Sequence, residues 1–160
     1  MSKGTAYALL VGLLVVAHFV LRVSLGFGEG APDLLTVALL LGARRLRPSL
    51  GAALGLVLGT LRDSLAVGSF GADALTMTVV GWLGGRSHDW FEGGTPLFIG
   101  VYLTFGVWAH HILRTVLGGV PVDGSVVGAL LVSPVLGALY AAAAGVAAYL
   151  AYSSFVAPTR

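Results

Sequence analysis

The chain consists mainly of long apolar runs that are interrupted by short glycine-, proline- or arginine-rich turns. Continuous apolar runs favour helices, because the strands of a membrane barrel alternate between lipid-facing and lumen-facing residues. A helix that crosses a bilayer needs roughly 20 such residues. The pattern therefore predicts an all-α, polytopic membrane protein with one transmembrane domain over residues 1–160. Its six helices are expected at about residues 5–25, 33–47, 49–67, 72–85, 96–117 and 125–152.

Composition supports this fold class. Hydrophobic residues make up 57% of the chain and charged residues only 10%, whereas a soluble domain is about 25% charged. The chain has no cysteine, so it offers no disulfide framework, thiolate nucleophile or cysteine zinc site. The net charge of +2 does not indicate nucleic-acid binding, because the basic residues are scattered. We expect the lipid bilayer to be the partner of most of the surface.

The distribution of basic residues predicts the orientation. With six helices both termini lie on one side, and the loops on the other side carry acidic residues instead. Because basic loops stay in the cytoplasm, both termini are expected there. The basic residues on the predicted cytoplasmic side are Lys3, Arg44, Arg45, Arg47, Arg86 and Arg160.

Several charges fall inside or at the ends of predicted spans, all in the outer half of the membrane. A charge at the bilayer centre costs about 2.5–3.5 kcal/mol on insertion scales, so such residues need partners or water. We therefore predict an ionic network, which either fixes the register of the helices or forms a polar pocket or docking surface open to the outside. Its candidate members are Arg22, Asp33, Arg62, Asp63, Asp73 and Arg114.

Small residues recur at four-residue spacing on two predicted helices. This spacing lets two helix backbones approach closely in a membrane. The faces either pack the bundle internally or dock a partner helix, and the sixth helix is the better docking candidate because its series is longer. On that basis bulky substitutions at Gly137 or Ala141 are expected to break partner binding without unfolding the protein. The candidate docking residues are Gly51, Gly55, Gly59, Ser133, Gly137, Ala141 and Gly145.

Catalytic chemistry is not indicated. His110 and His111 are consecutive and would point about 100° apart on a helix, and His18 lies one turn from Arg22. No spacing suggests a nucleophile, a base and an orienting group together. We predict no enzyme activity, no catalytic or metal-binding residues and no cofactor.

Residues 30–86 contain a series of motifs in a distinctive order. They are Pro32-Asp33 and the apolar run after them, the arginine turn, the glycine-spaced third helix, Arg62-Asp63-Ser64-Leu65, Gly68-Ser69-Phe70-Gly71 and the run from Ala74 to Gly84. In these motifs the chain resembles MreD, the small membrane subunit of the bacterial rod-shape system, or elongasome. The chain departs from the family at Asp73, where a larger polar residue such as histidine is common, and in its glycine- and alanine-rich sixth helix.

The resemblance implies a non-enzymatic scaffold for cell shape in the bacterial inner membrane. Such a protein binds the single-span protein MreC. It is thereby connected to the peptidoglycan glycosyltransferase RodA, a class B penicillin-binding protein and the cytoskeletal protein MreB. MreD-like chains resemble in fold the substrate-binding subunits of energy-coupling-factor transporters, so a small-ligand-binding subunit of that kind is the alternative. Those subunits carry alanine-x-x-x-alanine in the first helix, a spacing that Ala6, Ala8 and Ala17 do not provide.

Overall fold

The computed structural model describes residues 3–24, 32–65, 71–87, 95–118 and 133–156, and these form an all-helical protein. The first helix, Lys3–Phe19, continues as a short π-helix over Val20–Ser24. The six α-helices are α1 (Lys3–Phe19), α2 (Leu34–Ala43), α3 (Pro48–Asp63), α4 (Ala72–Arg86), α5 (Pro96–Leu117) and α6 (Ser133–Val156).

Among the described residues three segments are long and apolar enough to cross a membrane: Gly4–Arg22, Pro96–Leu117 and Pro134–Phe155. The other three helices are shorter, with 10 residues in α2, 16 in α3 and 15 in α4. At 1.5 Å per residue α3 and α4 extend roughly 24 and 22 Å, and α2 only about 15 Å. The chain is thus a helical membrane protein with three helices of full spanning length.

The second helix is shorter than the predicted 33–47. It ends at Ala43, where the N–H groups of Arg45 and Leu46 donate to the carbonyls three residues earlier. This tightening forms a turn before Pro48, which begins α3. The second helix therefore ends four residues before the predicted boundary. Of the predicted sixth helix, residues 125–132 lie outside the described residues, as do residue 25 of the first and residues 66–67 of the third.

The short helix α2 is the core of the bundle. Each of its residues except Gly42 is buried, and it contacts all five of the other helices. A helix that is apolar on all sides needs an apolar environment on all sides. Here the neighbouring helices supply that environment instead of lipid, and α2 does not need the length of a bilayer span.

Successive helices run in opposite directions. The hydroxyl of Tyr7, near the start of α1, donates to the carbonyl of Leu41 near the end of α2 (2.9 Å). The ring of Tyr152, near the end of α6, lies 5.4 Å from the ring of Tyr7. Phe98, in the first turn of α5, has the guanidinium of Arg44 5.7 Å above its ring. The start of α1 and the end of α6 therefore lie at the same end of the bundle.

That end carries the arginines of the short turns, and we call it the basic end. The guanidinium of Arg45 lies 3.6 Å from the centroid of the Tyr7 ring. The last turn of α4 meets the first turn of α3, since a methyl group on Gly85 would touch the backbone of Pro48. The arginines of the basic end are Arg44, Arg45, Arg47 and Arg86.

The outer surface of the bundle is apolar. Large hydrophobic side chains point outward from α1, α3, α4, α5 and α6, among them Leu13 (65% exposed), Val57 (62%), Leu75 (60%), Phe105 (66%) and Leu136 (67%). Exposing such a surface to water is unfavourable in free energy, whereas lipid tails solvate it. The distribution agrees with a membrane environment around the helices.

The glycine series of α3 packs against α4 within the bundle. A methyl group on Gly51 would overlap the carbonyl oxygen of Gly81, and one on Gly55 would overlap that of Met77. A methyl group on Gly59 would overlap the backbone of α4 near its start. These three candidate docking residues therefore serve an internal helix pair, in which the two backbones touch.

The small residues of α6 divide between the interior and the surface. Ala141 is fully buried, and a methyl group on Gly145 would press on the side chains of Val37 and Leu103. Gly137 has open space around it, and the side chain of Ser133 lies outside the described residues. Because Ala141 is fully buried, a bulky side chain there would have to displace its neighbours, so the structure argues against the expectation that such a variant stays folded.

Candidate functional site

A buried ionic cluster lies at the end of the bundle opposite the basic end. At its centre is Arg62, which is 8% exposed although it carries a full charge. Its Nη1 donates to both carboxylate oxygens of Asp33, at 2.9 and 3.1 Å. Its Nε lies 3.5 Å from Oδ2 of Asp73. One arginine of α3 thus joins the starts of α2 and α4.

Asp33 is held in place by the helix that it begins. As the N-cap of α2 it accepts the backbone N–H of Thr36 (3.3 Å) and the hydroxyl of the same residue (2.9 Å). An aspartate in this position satisfies an N–H group that the helix leaves free. The Pro-Asp opening of the second apolar run therefore has a structural purpose, which is to direct a carboxylate at Arg62.

Asp73 is the most enclosed carboxylate of the cluster, with no exposed surface. Besides Arg62 it faces Arg114 of α5, whose Nε lies 3.1 Å from Oδ1. The side chain of Arg114 is 35% exposed, so the cluster reaches the surface along α5. Burying a charge is costly unless it is paired. Here the two carboxylates of Asp33 and Asp73 are matched by two guanidinium groups.

Asp63 follows Arg62 in sequence, but it caps the start of α4. Its carboxylate accepts the N–H groups of Gly71 (3.0 Å), Asp73 (3.2 Å) and Ala74 (2.9 Å). These belong to the start of α4, where a negative group is favourable because the N–H groups point outward. Gly71 adopts a left-handed φ of 97°, which explains the need for glycine there.

The sixth predicted member, Arg22, lies in the π-helical turn after α1 and is half-buried. Within the described ranges it forms no ion pair with a carboxylate. The structure thus brings together Asp33, Arg62, Asp73 and Arg114, places Asp63 beside them as a helix cap, and leaves Arg22 apart.

Two histidines belong to the cluster although the sequence analysis set them aside. Nε2 of His110 lies 3.6 Å from Oδ1 of Asp73 and 3.9 Å from Oδ2 of Asp33. Nδ1 of His18 lies 4.0 Å from Oδ1 of Asp33. Both rings are buried. The signal that could have found His110 is its position one turn before Arg114, on the same helix face.

The inner side of the cluster has unused hydrogen-bonding capacity. In the part of the chain that the structure describes, neither oxygen of Asp73 and neither nitrogen of His110 makes a hydrogen bond of good geometry. Buried polar atoms of this kind usually have a partner. In the same part of the chain no group of three or more histidine, cysteine, aspartate or glutamate side chains could hold a metal ion. The cluster therefore has ion pairs and polar atoms but no metal-ligand set there.

A second feature is an open groove of about 1100 Å³ between α5 and α6. Its walls are apolar, and small residues line it at four-residue spacing: Gly100 and Thr104 from α5, Ala143 and Ala147 from α6. The indole N–H of Trp108, which also lines the groove, is buried without an acceptor among the described residues. From Pro96 to Trp108 the groove follows α5 for roughly 18 Å.

Comparison with family models, with curated proteins and with solved structures found no match to this chain.

Proposed function

We propose that this protein is a non-enzymatic membrane scaffold of the MreD type. It binds a single-span, MreC-like protein in the bacterial inner membrane. Through that protein it supports peptidoglycan synthesis by RodA and a class B penicillin-binding protein, with MreB on the cytoplasmic side. The resemblance over about residues 30–86 supports this proposal.

The observation that carries the proposal is the groove between α5 and α6. A helix about 10 Å wide and 18 Å long occupies roughly 1400 Å³, so a groove of about 1100 Å³ would accept most of its width. Small residues on both walls allow close backbone contact, which is what stabilises helix pairs in lipid. This surface replaces the Gly137–Ala141–Gly145 face, because Ala143 and Ala147 point outward where Ala141 points inward.

The proposed topology has six spans with both termini in the cytoplasm. The alternating helix directions support it, since the start of α1 and the end of α6 share the basic end. Arginines at that end agree with a cytoplasmic location. The lengths of α3 and α4 are accommodated by local thinning of the bilayer, and α2 is enclosed by protein.

In this proposal the ionic cluster is structural. Its side chains come from α1 through α5, and their ion pairs fix the rotation and depth of each helix. The relative position of the helices determines the shape of the groove. The cluster therefore holds the docking surface without touching the partner.

A small-ligand-binding subunit of an energy-coupling-factor transporter is the second candidate. It is favoured by the unused hydrogen-bonding atoms of Asp73 and His110, which a polar ligand or water could satisfy. It is disfavoured by the dense pairing of the surrounding charges, because a ligand would have to replace ion pairs that are already formed.

Co-purification in mild detergent followed by mass spectrometry tests the proposal. We expect an MreC-like protein to be recovered with the wild type and with Ala53→Trp, an exposed position on α3, but not with Ala143→Trp. The two variants add the same side chain to different outer surfaces, and both should keep the wild-type melting temperature. Recovery of a stoichiometric small ligand together with ATPase subunits would refute the scaffold. Equal recovery of the MreC-like protein with both variants would show that the groove is not the docking surface.

A further inference from the structure

A second, narrower crevice lies between α4 and α5, close to the basic end. Its volume is about 220 Å³. Its walls include Val80, Leu83, Phe105 and Ala109, and Arg86 stands at one end of it with Ser87. From Val80 to Arg86 the crevice follows α4 for roughly 9 Å.

The volume excludes a helix as the occupant. A helix segment 9 Å long and 10 Å wide would need roughly 700 Å³, three times the space available. An extended hydrocarbon chain is much thinner and would contact both walls. The crevice is therefore distinct from the α5–α6 groove in the class of molecule that it can hold.

The charge near the crevice indicates which lipid headgroup it favours. Arg86 is exposed, and its guanidinium lies 5.7 Å from the centroid of the Trp82 ring. Among the described residues no carboxylate pairs with it, so within that part of the chain its charge is open to a headgroup. All carboxylates of the described residues, those of Asp33, Asp63 and Asp73, lie at the opposite end. A lipid with an anionic headgroup meets complementary charge here.

The aromatic side chains near Arg86 indicate that this end of the crevice lies at the level of the lipid headgroups. Tyr102 lines the crevice, and the ring of Trp82 contacts Arg86 at its charged end; such residues concentrate where the hydrocarbon meets the headgroups. The hydroxyl of Tyr102 donates to the carbonyl of Leu40 (3.1 Å), which fixes the ring as a wall of the crevice. A phosphate at Arg86 would then stand at headgroup level with its acyl chain below.

We propose that an anionic phospholipid occupies this crevice, with one acyl chain between α4 and α5 and its phosphate on Arg86. The inference rests on the membrane location and not on the identity of the protein partner. It makes the protein sensitive to the anionic lipid content of the leaflet that faces its basic end.

Native mass spectrometry of the full-length protein tests the proposal, after exchange into detergent that contains equal amounts of dioleoylphosphatidylglycerol and dioleoylphosphatidylcholine. The wild type should retain the anionic lipid preferentially. Arg86→Gln should reduce that preference about fivefold, the effect of one arginine near a headgroup. Its matched control is Arg47→Gln, an exposed arginine of the same end that does not line the crevice, which should retain the wild-type preference.

The acyl chain is tested by filling the crevice. Ala109→Phe should lower retention of both lipids, while Ala53→Phe, on the outer face of α3, should not. If Ala109→Phe does not fold, Leu83→Trp tests the same wall from a half-exposed position. Equal lipid preference in Arg86→Gln and Arg47→Gln would overturn the headgroup assignment. Unchanged retention after the crevice is filled would overturn the acyl-chain assignment.

Discussion

Replacing Arg62 by leucine removes the residue that joins three elements of the bundle. Arg62 is 8% exposed and is the closest cation to Asp33, at 2.9 Å. Within the described ranges, its loss leaves Asp33 with the two histidines as its nearest basic groups, at 3.9 and 4.0 Å. Asp73 would keep Arg114 as its partner.

Removing one partner of a buried pair costs about 3–5 kcal/mol, because the remaining charge is desolvated without compensation. We expect Arg62→Leu to reduce the free energy of unfolding by that amount. Adding Asp33→Asn removes the unpaired charge while keeping an N-cap for α2. The double variant should therefore be more stable than Arg62→Leu alone, by about half of the loss or more.

The measurement is equilibrium unfolding in mixed micelles of a mild detergent and dodecyl sulfate, followed by far-ultraviolet circular dichroism. Arg47→Leu is the matched control, since this exposed arginine makes no side-chain capping bond and should change stability by less than about 0.5 kcal/mol. A loss for Arg62→Leu no larger than that of the control would refute the reasoning. So would a double variant no more stable than the single one.

Gly55→Leu tests the packing of α3 on α4. It should lower the free energy of unfolding by about 3 kcal/mol in the same assay, because its side chain would overlap the backbone at Met77. The control Gly137→Leu, at an open position of α6, should cause no measurable loss; similar losses in both would contradict the internal role of the α3 glycines. Asp63→Ala should cost about 2–4 kcal/mol by leaving three N–H groups of α4 without an acceptor, with Asp63→Asn intermediate; equal stability of the wild type and Asp63→Ala would contradict the capping role.

Part of the candidate site could be predicted from the sequence. Depth in the membrane already placed Asp33, Arg62, Asp73 and Arg114 in one layer, because a charge among apolar residues needs a partner. It could not separate Asp63 from the ion pairs, since adjacent residues of a helix share a depth but point in different directions. The sequence analysis also excluded His18 and His110, because it considered them only as catalytic or metal-binding residues, whereas their contacts are with carboxylates.

The sequence alone determined that this protein is helical and belongs in a membrane. Long apolar runs form helices in lipid because each helix satisfies its own backbone hydrogen bonds, a requirement that neighbouring residues meet without distant ones. Only the tertiary structure decided that α2 is enclosed, that Gly51, Gly55 and Gly59 face α4, and that Ala143, not Ala141, faces outward. Those properties depend on which helices become neighbours, and in a bundle that choice follows from shape and charge matching across the whole chain.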